Sequence, residues 1–180
     1  KKLNGTQTWG VWHTGIAFGK YLRLDDTAAE ASANLVTATS NTTFSTYKDH
    51  HDTGDDIIAY CFAEKTGFSK FGSYTGNGNA DGTFIYTGFK PSFVLQKKTS
   101  GTSNWVIYDN KRDISNVVTQ ELKPDVSNAE SSFTNIDILS NGFKQRSNYA
   151  YTNNSGGTYI YMAFAESPFT NSNRVPTNAR

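Results

Sequence analysis

The chain repeats itself, and this duplication constrains its fold more than any other feature. The stretch Lys2-Leu3-Asn4-Gly5-Thr6-Gln7-Thr8-Trp9 returns without a gap as Lys98-Thr99-Ser100-Gly101-Thr102-Ser103-Asn104-Trp105. Further on, Ala29-Glu30-Ala31-Ser32 matches Ala129-Glu130-Ser131-Ser132, and Gly54 matches Gly156. The clearest echo sets Ile58-Ala59-Tyr60-Cys61-Phe62-Ala63-Glu64 against Ile160-Tyr161-Met162-Ala163-Phe164-Ala165-Glu166. The offset drifts between blocks, as loop insertions cause. The chain therefore reads as two copies of one unit, packed as one body. Residues 1–64 form the first unit, 65–88 a Gly- and aromatic-rich connecting hairpin region, and 89–180 the second unit.

The second copy carries a strand-like segment, Phe89-Lys90-Pro91-Ser92-Phe93-Val94-Leu95-Gln96, ahead of its lysine pair, whereas the first copy begins at the equivalent lysines. Met162 is the only methionine, and no basic-then-apolar leader opens the chain. The expectation is that the sequence starts inside an element of a larger polypeptide, with an N-terminally truncated first unit.

Local patterning is one-sided. Runs of strand length rich in β-branched and aromatic residues occur at 57–62, 84–86, 93–95, 105–108 and 159–164. Between them lie turn-forming stretches such as Gly76-Asn77-Gly78-Asn79 and Asn153-Asn154-Ser155-Gly156-Gly157. Asn141-Gly142, between two apolar runs, predicts a hairpin with positive φ at both central positions. Thr, Asn, Ser and Gly supply roughly 70 residues, far above what a helical protein carries. The one helix-like stretch, 27–35, is short and rich in Ser and Asn. The fold class is all-β, a β-sandwich or jelly-roll-like body of two internally repeated units. Residues 58–62 and 160–164 are apolar on both faces, so both are expected to lie centrally and to pair or pack with one another.

Charge and cysteine usage narrow the function. The net charge is +1 in 180 residues, without the basic excess of a nucleic-acid binder. The longest apolar run is far shorter than the ~20 residues of a membrane span. The single cysteine, Cys61, lies in an apolar run and is expected to be a buried, inert thiol.

Four motifs carry a resemblance. They are Ala59-Tyr60-Cys61-Phe62-Ala63-Glu64, the run from Gly67 through Lys70 and Tyr74 to Gly78, Tyr86-Thr87-Gly88-Phe89-Lys90-Pro91-Ser92-Phe93-Val94, and Ser155-Gly156-Gly157-Thr158-Tyr159-Ile160-Tyr161. In this order they resemble a domain family of unknown function found in phage tail-fibre and other virion tail proteins, particularly of marine phages. The resemblance spans essentially the whole chain. It implies a β-rich, extracellular virion module near the distal part of a tail appendage. It also implies a homotrimer, with other virion tail proteins among its partners. The family has no established catalytic residues to carry over.

Several constellations could carry chemistry. Asp49, His50, His51, Asp52, Asp55 and Asp56 crowd one loop with zinc-type ligands. Adjacent histidines on an extended chain point to opposite sides, so a solvated tip is the expectation, and this tip is the leading candidate for ligand specificity. Asn77, Asn79 and Asp81 partly match a calcium loop that lacks its first acid and its closing glutamate. No cofactor is therefore expected, a divalent metal being the one open option. Glu64 and Glu166 occupy equivalent positions, which repetition explains without the paired carboxylates of glycoside hydrolysis. Trp9, Trp12, Trp105 and Tyr108 could stack on sugars, but core is the default for all four, Trp12 and Tyr108 included. Lys97-Lys98 and Lys111-Arg112-Asp113 are expected on solvated faces. The functional expectation is a tail-fibre domain that binds a host-surface glycan or protein without catalysis. A structural module contacting other tail proteins and a polysaccharide-cleaving glycoside hydrolase are the alternatives.

Overall fold

The computed structural model describes residues 1–46, 52 and 54–167, and the described chain is all-β with no helix. Five short strands come first: β1 (Gly10–Val11), β2 (Lys20–Arg23), β3 (Ala31–Ser32), β4 (Ala38–Thr39) and β5 (Phe44–Ser45). Eight more follow: β6 (Ser69–Thr75), β7 (Phe84–Tyr86), β8 (Phe93–Lys98), β9 (Trp105–Asp109), β10 (Val118–Glu121), β11 (Ser131–Leu139), β12 (Gly142–Gln145) and β13 (Thr158–Phe164). Two four-stranded antiparallel sheets, ordered β6-β13-β8-β9 and β10-β11-β12-β7, form a sandwich. A three-stranded sheet β1-β2-β3 and the pair β4-β5 complete the architecture.

β13 is central because its sequence, Thr-Tyr-Ile-Tyr-Met-Ala-Phe, offers aromatic or branched side chains to both faces. It pairs in unbroken register with β6 (Thr158↔Thr75 to Phe164↔Ser69) and with β8 (Tyr159↔Lys98 to Phe164↔Phe93). Tyr159, Tyr161 and Ala163 enter the sandwich core with Val94, Val106, Tyr108, Ile136, Ile138 and Phe143. Ile160 faces the other way and meets Ile16, Leu22 and Trp105. The small β1-β2-β3 sheet therefore covers the outer face of the β6-β13-β8-β9 sheet, and the molecule has three layers.

His13 pins this outer layer. Its Nε2 lies 3.1 Å from the Tyr161 carbonyl oxygen, and its Nδ1 accepts the Gly15 N–H at 2.8 Å. An accepting Nδ1 makes the ring neutral, with the proton on Nε2. Burial holds the His13 pKa below its ordinary value, against the opposing pull of the Tyr161 carbonyl and the Glu64 charge. The unfolded chain takes up this proton first as pH falls. The contribution is thus complete above about pH 6.5 and declines below it, at no more than about 1.4 kcal/mol per pH unit. Thermal melts at pH 7.5 and 5.5 check this, and His13→Gln should remove the difference between them.

Several expectations are corrected here. Residues 57–62 form no strand: only Lys2 bridges to Ile57, and Ile57, Tyr60 and Phe62 are 46%, 67% and 61% exposed. Phe62 meets Phe164 of β13 at 6.0 Å, but the segment does not pair with that strand. Apolar character on both faces is necessary for a central strand, but neighbours on both edges are what make one. Cys61 is accordingly exposed. The helix-like stretch 27–35 contains β3 instead, held by Lys20↔Ser32 and Tyr21↔Ala31. The β11–β12 hairpin forms, but Leu139 pairs with Gly142, so its turn is Ser140-Asn141. Gly142 is required within the strand, since a Cβ there would lie 2.1 Å from the Ile85 carbonyl oxygen of β7.

Lys97 is fully buried rather than solvated. Its ammonium donates to Thr27 O at 3.0 Å and to Ser103 O, beside the Trp105 ring. Burial draws its pKa down to about 8, with Asp125 and Asp26 acting in the opposite sense. It ties the region after β2 to the region between β8 and β9, as do the Trp105 indole N–H to Arg23 O bond (2.6 Å) and Ser103 N to Thr27 O (2.8 Å). Arg112 is also part-buried, paired with Asp109 and with Glu130 at 2.7 Å.

Candidate functional site

The most developed polar and aromatic surface lies where β10 ends, beside β11 and the loop after β12. Gln120 pairs with Ser132 and Val118 with Ile136, so Phe133, Thr134 and Asn135 all stand opposite Thr119. This bulge re-aims side chains. It leaves Phe133 44% exposed while Asn135 turns inward and is fully buried. Phe133 meets Tyr149 edge-on at 5.8 Å, and Tyr149 stacks on Tyr151 at 5.4 Å with planes 12° apart. Lys123 Nζ sits 5.8 Å from the Phe133 ring centre and 5.1 Å from that of Tyr151. Such cation–ring contacts contribute about 0.5–1 kcal/mol each at partly exposed sites.

A buried carboxylate anchors the group. Glu121 is fully inaccessible. Its Oε1 accepts from Lys123 at 2.8 Å and from Ser131 Oγ at 3.1 Å, and its Oε2 accepts from Asn135 Nδ2 at 3.0 Å. Four partners, counting the Tyr108 hydroxyl at 3.4 Å, satisfy it as a buried charge requires. Burial raises the Tyr151 phenol far above its ordinary pKa, and the Glu121 charge adds to the effect. Tyr151 thus remains protonated and donates to Asn135 Oδ1 at 3.4 Å. The surface offers flat apolar ring faces, an ammonium and phenol hydroxyls, all set on buried polar supports.

The residues singled out by sequence are placed elsewhere. Asp49, His50 and His51 lie outside the described residues. Of that loop, Asp55 forms a 2.6 Å ion pair with Lys2 and accepts the Asp52 N–H, while the Asp56 carbonyl accepts from Leu3 N. The Asp55 carboxylate thus closes the loop onto the first residues. Trp105 and Tyr108 are core, at 3% and 0% exposed. Trp12 and Trp9, both expected in the core, are both only half-buried: Trp12 stacks on Phe18 at 5.1 Å and Trp9 on Tyr60 at 5.9 Å.

The calcium-like loop spends its oxygens on its own backbone. Asn77 Oδ1 accepts from Asn79 N, Asn79 Oδ1 accepts from Asp81 N, and Lys144 neutralises Asp81. Lys144 holds the Asp81 carboxyl below the usual carboxylate range. Among the described residues, no three His, Cys, Asp or Glu side chains cluster as a metal would need. Glu64 pairs with Lys70 at 3.0 Å and Glu166 with Lys111. The Lys111 hydrogen bond lowers the Glu166 pKa, the opposite of what a general acid needs.

A family model described as Domain of unknown function (DUF7483) matches residues 1–168. The chain belongs to this family. The matched DUF7483 span takes in every described strand. No curated protein and no solved structure matches the chain. No described helix is long and apolar enough to cross a membrane.

Sequence reading passed over Lys123, Phe133, Tyr149 and Tyr151. One signal was available: Tyr149-Ala150-Tyr151 sets two aromatics close together within polar sequence, and a turn, with Asn153 N–H donating to Tyr149 O, brings their rings together. Phe133 gave none, because its exposure depends on the bulge.

Proposed function

We propose that the chain is a tail-fibre domain of a phage virion that binds a glycan on the host surface without chemistry. The observation that carries this reading is the half-exposed ring set Phe133, Tyr149 and Tyr151 beside Lys123. Ring faces complement the apolar faces of sugars, and the ammonium and phenols serve their hydroxyls. The virion assignment draws on the resemblance of the four motifs to tail-fibre domains. Weak single-site contacts would be multiplied by several copies on one fibre, and a trimer is the arrangement the resemblance implies.

The labelled domain should bind selected bacterial cells and lose that binding once their surface polysaccharide is stripped. Each ring contributes about 1 kcal/mol, so Phe133→Ala with Tyr149→Ala should weaken binding about thirtyfold with little change in melting temperature. Unchanged binding by the double variant would remove this surface from the reading.

The second reading, a structural module contacting other tail proteins, is favoured by a different observation. Ile57, Tyr60 and Phe62 form a run of exposed apolar side chains on one segment. Binding to no cell type would shift the weight there. A glycosidase role finds little support, because Glu64 and Glu166 are each held by a lysine.

A further inference from the structure

The ring surface carries one ammonium, and the fold sets a carboxylate directly beneath it. Glu121 ends β10 and is fully inaccessible, whereas the Lys123 side chain is 17% exposed. Two residues apart on an extended chain, they fall on the same side and meet at 2.8 Å. Ser131 Oγ at 3.1 Å and Asn135 Nδ2 at 3.0 Å hold the carboxylate in place from β11. Apolar residues in place of a buried ion pair often make a protein more stable, so stability does not explain this one.

The ammonium is already engaged. Glu121 takes one N–H, and the Phe133 and Tyr151 rings stand 5.8 Å and 5.1 Å from Nζ. The surrounding charges leave no cation over. Among the described residues 118–139 and 146–157, Lys123 and Arg146 are the only cations, against the carboxylates Glu121, Asp125, Glu130 and Asp137. Arg146 pairs with Asp137 at 3.4 Å, and Glu130 pairs with Arg112 at 2.7 Å. Asp125 accepts the Trp105 N–H at 3.1 Å.

An anion in hydrogen-bond contact with Lys123 would sit about twice as far from Glu121 as from Nζ. Repulsion then cancels roughly half of the attraction, while the ligand still gives up its hydration. An uncharged sugar meets no such opposition. Its apolar face needs the rings, and its hydroxyls need only the ammonium N–H groups and the phenols.

We infer that this surface selects uncharged sugars over acidic ones, and that Glu121, a positioning residue acting through Lys123, sets that preference. The inference rests on the glycan-binding reading and names its ligand class. Glu121 is the repulsive element of the site. It cancels a cation that would otherwise draw uronic acids and phosphorylated or sulfated sugars.

The test separates polysaccharide stripped from a panel of bacterial cells into neutral and acidic fractions by anion exchange, and titrates the full chain with each. The wild-type chain should bind the neutral fraction at least about tenfold more tightly. That binding should change less than about twofold between about 50 and about 300 mM salt. Glu121→Gln frees the ammonium and should raise affinity for the acidic fraction about tenfold, in a salt-dependent way. Asn148→Lys, an exposed substitution beside Tyr149 that leaves Glu121 intact, should do the same, and it decides the matter if the Gln variant fails to fold. Equal or tighter wild-type binding of the acidic fraction, or acidic affinity unmoved in the folded variants, would overturn the inference alone. Binding to neither fraction would overturn the glycan-binding reading and this inference with it.

Discussion

Truncating Phe143 to alanine is expected to cost about 3–5 kcal/mol, the range for a fully buried aromatic in a close-packed core. Phe143 is inaccessible, and on β12 it stands between Ile138 of β11 and Ile85 of β7. Its ring meets that of Tyr161 on β13 edge-to-face at 5.4 Å, with planes 80° apart. One side chain therefore joins the two sheets. Domains of this size hold about 5–15 kcal/mol in total, so the variant loses a large share of it. The melting temperature should fall by roughly 6–20 °C. Urea unfolding monitored by tryptophan fluorescence measures the loss directly. A loss under about 1 kcal/mol would mean that the sheets do not share this core.

Asn153→Ala should cost about 2–4 kcal/mol, from polar rather than apolar terms. Asn153 is fully buried in what reads in sequence as a plain turn. Its amide donates to Asn77 Oδ1 at 2.9 Å and to Asn79 O and Ser147 O at 2.8 Å each, and its oxygen accepts Asn77 N at 3.0 Å. Removing the side chain leaves the carbonyl of the buried Ser147 without this donor. Asn153→Asp should be at least as damaging, because it sets a negative charge against three acceptors. The same side chain steadies the loop that carries Tyr149 and Tyr151, since its amide donates to Ser147 O at 2.8 Å. Cell binding by Asn153→Ala, assayed well below its melting temperature, should therefore fall along with stability. If stability dropped by less than about 1 kcal/mol, Asn153 would not be the hub of this loop.

How much of this was legible beforehand depended on how local the cause was. The β13 run is strand-like in any setting, because aromatic and branched residues on both faces leave few alternatives. Residues 57–62 carry the same local pattern and form no strand. The difference lies in what sits beside them, a matter of partners rather than propensity. Lys97 misled in a similar way. A lysine pair predicts solvent, but carbonyls brought in from Thr27 and Ser103, one from each unit, make burial of the ammonium tolerable. The candidate site was the least legible. Lys123, Phe133, Tyr149 and Tyr151 come from three segments, and only a bulge and a hairpin bring them together.

From the sequence alone came the all-β class and the strand-forming runs at 84–86, 93–95, 105–108 and 159–164. Each follows from composition or from a periodicity spanning a few residues, where covalent geometry and side-chain shape act directly. Tertiary structure decided that Lys97 is buried and which aromatics face solvent. Those outcomes depend on backbone groups and ring faces supplied by residues distant in the chain, and no local pattern encodes who those neighbours are.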